Sequence, residues 1–194
     1  MEIEYKWELP DGWDPVSVLH KGVRMDGDRE IHMEAVYYDT PDGYVAELKG
    51  ALRLRREDGR SVCCLKIAED GSAGRVRQEY EVEAGTIDEG LARLPSVGAP
   101  QEVCARVLRN GATVVCGTEF TRRAITIEGD GWTGELAIDR GRMVNGERSG
   151  PIAEIELEFK SGDLPAFHSF AATLQDVQGL AAIEKSKSQR AREL

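Results

Sequence analysis

Charged and apolar side chains alternate over the first seven residues of the chain. The charged positions are Glu2, Glu4 and Lys6. Because alternate side chains of a β-strand point to the same side, a strand here carries two carboxylates and an ammonium group on one face. Carboxylate oxygens are preferred ligands of hard divalent cations such as Mg²⁺ and Mn²⁺, whereas an ammonium group binds phosphate oxygens as a point charge. The segment therefore suits a site that holds a metal ion beside a phosphate, and equally an ordinary surface strand with its charges in water.

The same alternation returns in most of the later strand-like segments. Arg53 and Arg55 share one face of a predicted strand, and Lys66 stands opposite apolar residues in the next. Acidic residues share a face within 79–83, 135–139 and 154–158. A sheet with one wet and one dry face explains any one of these strands. The set as a whole is different, because its polar positions are almost entirely charged and its acids and bases are segregated by strand.

Carboxylates two residues apart on a strand repel each other unless a cation joins them. Pairs of carboxylates that project into one space suit Mg²⁺ or Mn²⁺, and arginines and lysines in the same space suit phosphate oxygens. A closed barrel with a charged lumen would hold both sets, and helices would cover its apolar exterior. The pattern therefore predicts a metal-dependent site for a polyphosphate.

The composition limits the class of protein. The chain has 194 residues, enough for a single domain over 1–194 with a substantial core. Charged residues make up 31% of it and the net charge is −10, which argues against nonspecific binding to nucleic acid or to an anionic membrane. We find no apolar run near the ~20 residues of a membrane span and no signal segment, and therefore expect a cytoplasmic protein. The four cysteines lack metal or redox spacing, so we expect buried thiols.

Strands dominate the predicted elements. They lie near 2–8, 29–40, 51–57, 61–69, 74–84, 112–128, 132–144 and 150–160. Helical patterns fit about 14–25, 87–94, 101–109 and 163–178, with Asp163 and Asp88 as N-caps or first-turn acids. Short Gly-containing turns separate several of the strands: Glu57-Asp58-Gly59-Arg60, Asp70-Gly71-Ser72, Gly129-Asp130-Gly131 and Asn145-Gly146. The predicted fold class is α+β, mainly antiparallel β.

The ordered set of motifs resembles the CYTH superfamily, also called the triphosphate tunnel metalloenzymes. Its Glu-x-Glu-x-Lys motif is similar to Glu2-Ile3-Glu4-Tyr5-Lys6. Further similar segments follow in the family's order: Tyr37-Tyr38-Asp39-Thr40-Pro41, Ala51-Leu52-Arg53-Leu54-Arg55-Arg56, Leu65-Lys66, Arg77-Gln78-Glu79-Tyr80-Glu81, Arg122-Arg123, Ile138-Asp139, Ala153-Glu154-Ile155-Glu156 and Ser186-Lys187-Ser188. The resemblance covers nearly the whole chain.

This resemblance implies an eight-stranded antiparallel tunnel, closed as a barrel, that binds a triphosphate and divalent metal ions. The implied metal-binding carboxylates are Glu2, Glu4, Glu81, Asp139, Glu154 and Glu156. The implied catalytic, phosphate-binding cations are Lys6, Arg53, Arg55, Lys66, Arg123 and Lys187, with Lys185 as a further phosphate ligand. Nearby alternatives are Glu79 for Glu81, which lies on the same strand face, and Arg122 for Arg123.

The expected activity is hydrolysis of the terminal phosphoanhydride of inorganic triphosphate, with thiamine triphosphate and nucleoside triphosphates as the next candidates. The expected cofactor is Mg²⁺ or Mn²⁺, with one ion to orient the triphosphate and a second to activate water. Two alternatives remain: a class IV adenylyl cyclase, and a polyphosphate- or nucleotide-binding module without turnover. The tail at 185–191 also resembles the junction in members that continue into a histidine-rich, helical CHAD domain.

Overall fold

The computed structural model describes residues 3–18, 23–68 and 77–194. Eight antiparallel strands form one sheet in the order β1-β8-β7-β6-β2-β3-β4-β5. Their bounds are β1 Glu4–Glu8, β2 Arg24–Asp39, β3 Ala51–Glu57, β4 Arg60–Ala68, β5 Arg77–Glu83, β6 Thr113–Gly129, β7 Trp132–Asn145 and β8 Arg148–Gly162. All eight predicted strands are confirmed as elements, and so is the antiparallel α+β class.

Tight turns fix the register of three hairpins. β3 and β4 are joined through Asp58 and Gly59, which both have positive φ angles, at 46° and 79°. Such a two-residue turn matches the right-handed twist of the flanking strands and thereby sets which residues face each other. The β6–β7 and β7–β8 turns place Gly131 and Gly146 at positive φ as well. The predicted turn at Asp70-Gly71-Ser72 lies outside the described residues.

The prediction of a closed barrel is not confirmed. β1 and β5 stand at the two ends of the sheet, and no pairing between them is found in the described part of the chain. The free edge of β1 pairs instead with residues 181–183: Glu8 N–H donates to Ala181 O at 2.8 Å, and Ile183 N–H donates to Lys6 O at 2.9 Å. These contacts use the backbone groups that closure would require and also protect an exposed sheet edge.

Helices cover the outer face of this curved sheet. Their bounds are α1 Tyr44–Glu47, α2 Ile87–Arg93, α3 Gln101–Asn110, α4 Leu164–Gln178 and α5 Lys187–Arg192. α2 and α3 bury Leu91 and Val107 against the apolar faces of β3 to β5. α4 buries Phe167 and Leu174 against β1 and β6 to β8, and Asp163 caps its N-terminus. The predicted helices at 87–94, 101–109 and 163–178 are therefore confirmed. No helix among the described residues is long and apolar enough to cross a membrane.

Two regions differ from the sequence-based elements. The predicted helix over 14–25 is wrong at both ends: Pro15–Val18 forms only a 3-10 turn, and Arg24 already pairs with Glu128 at the start of β2. The long β2–β6 pairing outweighs the local helical pattern. The second difference is α5, whose residues Lys187 and Ala191 are buried, although the basic composition of the tail is typical of a solvated helix.

Candidate active site

The concave face of the sheet encloses a cavity of about 1370 Å³. Residues from all eight strands and from α5 line it. Because side chains alternate along each strand, the charged parity of β3, β4, β5 and β8 faces this space and their apolar parity packs under the helices. The predicted charged lumen is therefore present, whereas closure of the barrel is not confirmed.

One wall of the cavity is basic. Arg53 and Arg55 extend from β3, and Lys66 extends from the neighbouring β4. Their side chains are only 15–18% exposed, so they are partly shielded from water yet reachable from the cavity. Cations in such a position attract phosphate oxygens more strongly than cations in open solvent do.

Each of these cations is held by a carboxylate. Glu79 Oε1 lies 3.5 Å from Arg53 Nη2 and 3.2 Å from Lys66 Nζ. Glu57 Oε2 lies 2.9 Å from Arg55 Nε in an ion pair, and Glu81 Oε1 lies 3.5 Å from Arg53 Nη2. The basic wall is therefore preorganised but locally neutralised.

The opposite side of the cavity is acidic. Asp139 on β7 and Glu154 on β8 are fully buried, and Glu156 faces the cavity with 12% of its side chain exposed. One oxygen from each of the three lies within 4.8 Å of the others. The register causes this convergence, because Asp139 pairs directly with Glu154 across the two strands.

Two cations compensate this acidic cluster. Arg122 forms a bidentate pair with Asp139, with Nε and Nη2 at 2.8 and 2.7 Å from the carboxylate, and also contacts Glu156. Lys187 Nζ lies 2.8 Å from Asp139 Oδ2 and 2.8 Å from Glu156 Oε1, and also contacts Glu154. The ammonium group of Lys187 therefore occupies the point where the three carboxylates converge.

The pKa values of these groups follow from their pairing. Burial by itself would raise the pKa of Glu156, but the charges of Lys187 and Arg122 outweigh it and lower that pKa well below its usual range. Burial likewise opposes the charged form of Lys187, yet Glu156 and Asp139 raise its pKa. Glu156 and Lys187 therefore both stay charged at neutral pH.

β1 adds a mixed pair to the acidic side. Glu4 and Lys6 line the cavity, with Lys6 Nζ 2.7 Å from Glu4 Oε1. Lys6 pairs across the strands with Glu156, which brings the N-terminal motif next to the acidic cluster. Glu2, the other predicted metal ligand of this motif, lies outside the described residues.

The sequence interpretation missed a third, apolar wall. Ile31, Met33 and Ala35 on β2 line the cavity, with Phe120 on the neighbouring β6. The sequence does contain a pattern that could have predicted this wall, because these apolar residues of β2 alternate with the polar His32 and Glu34. This wall lies between charged walls and can contact an uncharged part of a ligand.

A model of the CYTH domain matches residues 1–191 of the chain. The chain belongs to the CYTH family. An inorganic triphosphatase from Haemophilus influenzae is 30% identical over 168 residues, which are 84% of this chain and 46% of that protein. The chain thus spans about half the length of this curated relative.

Solved structures share the CYTH fold at low sequence identity. The protein PH1819 from Pyrococcus horikoshii OT3 has a TM-score of 0.58 and 19% identity, with 100% of this chain and 99% of that chain covered. HpAC1 from Hippeastrum, a candidate adenylyl cyclase described as having a dominant triphosphatase activity, has a TM-score of 0.61 and 19% identity, covering 100% and 96% of the two chains. At these identities the likeness shows the fold.

Two residues chosen from the CYTH motifs do not reach the cavity. Arg123 points to the outer face, where it forms a bidentate pair with Asp28, and Arg122 lines the cavity in its place. Adjacent residues of a strand face opposite sides, so only one of the two can enter. Lys185 is 59% exposed and pairs with Glu193, whereas Lys187 lines the cavity. The structure therefore places Arg122 and Lys187 at the cavity, and Arg123 and Lys185 outside it.

Other predicted residues do come together. The cavity lining includes Lys6, Arg53, Arg55, Lys66, Lys187, Glu4, Glu81 and Glu156. Asp139 and Glu154 lie behind Glu156 and contact Lys187. Glu79, which competes with Glu81 in the sequence, also lines the cavity, so the structure favours neither over the other. The lining residues missed by sequence reasoning include Glu57, and Arg122, which the sequence offered as the alternative to Arg123, also lines the cavity.

The donor atoms fit a hard divalent cation. Carboxylate oxygens converge at Asp139, Glu154 and Glu156, and a second group joins Glu79 and Glu81 with the Cys64 thiol. Oxygen ligands of this kind are those that Mg²⁺ and Mn²⁺ prefer. A third group, His32 with Glu34 and Glu119, lies on the outer face of the sheet away from the cavity, with His32 and Glu34 exposed and Glu119 half-buried.

Proposed function

We propose that this CYTH chain, as a single domain over 1–194, is a metal-dependent triphosphatase that cleaves the terminal phosphoanhydride of inorganic triphosphate. The observation that carries the proposal is the cavity itself, with Arg53, Arg55 and Lys66 on one side and converging carboxylates on the other. A triphosphate is a linear polyanion that can contact both sides at once through bridging cations. The triphosphatase relative supports the same chemistry.

The carboxylates proposed to hold Mg²⁺ or Mn²⁺ are Glu4, Glu81, Glu156, Asp139 and Glu154, with Glu2 beyond the described residues. A bound divalent ion supplies neutralisation of phosphate charge and a lowered pKa for the attacking water. Every one of these described carboxylates has a cationic partner in the structure, so the proposed binding exchanges an internal ion pair for a metal contact.

The cations are proposed to bind the phosphate oxygens. Arg53 and Arg55 present planar guanidinium groups that can each contact two oxygens, and Lys66 adds a point charge. Lys6, Arg122 and Lys187 complete the set from the other side. In the reaction, water adds to the terminal phosphorus while the bond to the bridging oxygen breaks, giving orthophosphate and pyrophosphate. Fixed positive charge around the leaving pyrophosphate stabilises the transition state.

One observation favours a second candidate function. The apolar wall of Ile31, Met33, Ala35 and Phe120 could contact a nucleoside, as adenylyl cyclase chemistry with ATP requires. Thiamine triphosphate and nucleoside triphosphates are therefore further candidate substrates, and a class IV adenylyl cyclase is the alternative enzyme. A binding module without turnover would use the same walls.

A substrate panel distinguishes these functions. Purified protein is incubated with inorganic triphosphate, thiamine triphosphate or ATP, in Mg²⁺, Mn²⁺ or EDTA, and the products are separated by ion exchange. We expect orthophosphate from inorganic triphosphate with either metal, none with EDTA, and a large loss of rate in Glu4→Gln. Cyclic AMP from ATP would establish the cyclase instead, and tight triphosphate binding without product over hours would establish the binding module.

A pair of adjacent variants tests the proposed role of Arg122. Arg122→Gln removes a cation from the cavity, whereas Arg123→Gln removes one from the outer face. We expect Arg122→Gln to raise KM for inorganic triphosphate about tenfold, because one charge-assisted contact is lost. Arg123→Gln serves as the matched control and should stay within about twofold of wild type. The reverse ranking would return the phosphate-binding role to Arg123.

A further inference from the structure

A single carboxylate oxygen occupies the centre of the basic wall. Glu79 Oε1 lies 3.2 Å from Lys66 Nζ and 3.5 Å from Arg53 Nη2, and it accepts from the Cys64 thiol at 3.1 Å. Burial raises the pKa of the Cys64 thiol, so the thiol stays protonated and acts as a donor. This oxygen therefore has three donors from two strands around it. It stands where an oxygen of a bound phosphate would have to contact the same two cations.

The other cations of the basic wall are also compensated by carboxylates. Arg55 is paired with Glu57, and Glu81 lies near both arginines. Three cations are thus matched by three carboxylates on adjacent strands. A polyanion that reaches Arg53, Arg55 and Lys66 finds each of these charges already compensated, and it must displace carboxylates that remain close by.

We infer that Glu79 is a specificity-determining residue that makes the site accept triphosphate together with a divalent cation and discriminate against the metal-free polyanion. This inference rests on the proposed function. A phosphate oxygen that displaces Glu79 from Arg53 and Lys66 leaves two anions side by side in a space shielded from water. Their repulsion is large there unless a divalent cation bridges them. Glu79 and Glu81 lie in one group of potential ligands and can take part in that bridge.

The test is a calorimetric titration of the full chain with inorganic triphosphate in EDTA. For Glu79→Gln we expect at least tenfold tighter metal-free binding than for wild type, because the competing charge is gone and the two cations are released. Glu79→Asp keeps the charge and should bind metal-free triphosphate as weakly as wild type. Glu128→Gln, which breaks an ion pair with Arg24 outside the cavity, is the matched control and should not change the affinity.

Several outcomes separate the inference from the proposed function. If Glu79→Gln binds metal-free triphosphate no more tightly than wild type, while wild type hydrolyses the Mg²⁺ complex, the inference fails and the triphosphatase stands. If Glu79→Asp binds metal-free triphosphate as tightly as Glu79→Gln does, the tighter binding results from the altered side chain and not from the loss of charge. That result also overturns the inference. If wild type turns over no triphosphate with Mg²⁺, the proposed function fails, and the titrations in EDTA still report on Glu79. Circular dichroism melting confirms that each variant is folded before titration.

Discussion

Arg55→Ala should lower kcat/KM for inorganic triphosphate by about a thousandfold, the loss seen when a preorganised charge that stabilises a transition state is removed. Arg55 lines the cavity with 18% of its side chain exposed, and its guanidinium group is fixed by Glu57 and lies 3.7 Å from Glu81. A fixed cation in this position needs no reorganisation as negative charge builds on the leaving pyrophosphate. The effect should fall mainly on kcat, and steady-state kinetics of orthophosphate release in Mg²⁺ measures it.

The neighbouring arginine supplies the control for this prediction. Arg56 belongs to the same strand but is exposed on the opposite face, so Arg56→Ala removes the same charge without touching the cavity. We expect less than about a twofold change in kcat/KM for it. Arg55→Lys should recover only part of the rate, because an ammonium group cannot make the bidentate contact. Equal losses in Arg55→Ala and Arg56→Ala would mean that general charge, and not the cavity, sets the rate.

Lys187→Met should destabilise the fold by about 3–5 kcal/mol, the cost typical of breaking a buried ion pair by removing one partner. Its ammonium group contacts Asp139, Glu154 and Glu156, and the first two are fully buried. Methionine has nearly the same length, so the change removes charge with little loss of volume. Urea unfolding followed by circular dichroism in EDTA measures the free energy of unfolding.

Lys185→Met is the matched control for this effect, because Lys185 is an exposed lysine two residues away that pairs only with Glu193 among the described residues. Its free energy of unfolding should stay within about 0.5 kcal/mol of wild type. Mg²⁺ or Mn²⁺ should restore part of the stability of Lys187→Met, since the vacated position is surrounded by three carboxylates and a bound ion stabilises the folded state. A Lys187→Met variant with the same free energy of unfolding as wild type would contradict the role assigned to the acidic cluster.

The sequence correctly predicted which side chains line the cavity for those strands in which one face is purely apolar. In β3, Leu52 and Leu54 alternate with Arg53 and Arg55, and only one parity can be buried under helices. The period of two then determines which side chains enter the cavity. The same reasoning predicted that Lys66 and Glu156 enter the cavity. The order of the motifs along the chain indicated the CYTH family.

β6 did not allow this inference, because both of its faces carry apolar residues. Phe120 and Ala124 lie on the parity of Arg122, and Ile125 and Ile127 lie on that of Arg123. Only the pairing of Arg122 with Asp139 across the sheet shows which arginine enters. Whether the sheet closes into a barrel also depends on tertiary contacts. Residues 181–183 pair with the free edge of β1, and their local sequence does not predict that pairing.

The burial of α5 was also beyond the local sequence. Lys187, Arg190 and Arg192 look like a solvated basic helix, yet each contacts a buried carboxylate from a distant strand. Asp39 shows how such partners are fixed, since its carboxylate accepts from the backbone N–H of Val45 and Ala46 before it meets Arg192. Buried acids of this kind become recognisable only when the elements around them are in place.

Phosphorus-31 NMR of inorganic triphosphate incubated with the protein and Mg²⁺ tests the central claim most directly, because it follows substrate and both products in one sample. Hydrolysis in the charged cavity predicts that orthophosphate and pyrophosphate appear in equal amounts and that EDTA stops their formation. It also predicts that Arg55→Ala slows their formation about a thousandfold, whereas Arg56→Ala does not. Unchanged triphosphate in the presence of folded wild-type protein and Mg²⁺, or equal hydrolysis by Arg55→Ala, would contradict the assignment of the cavity as a triphosphatase site.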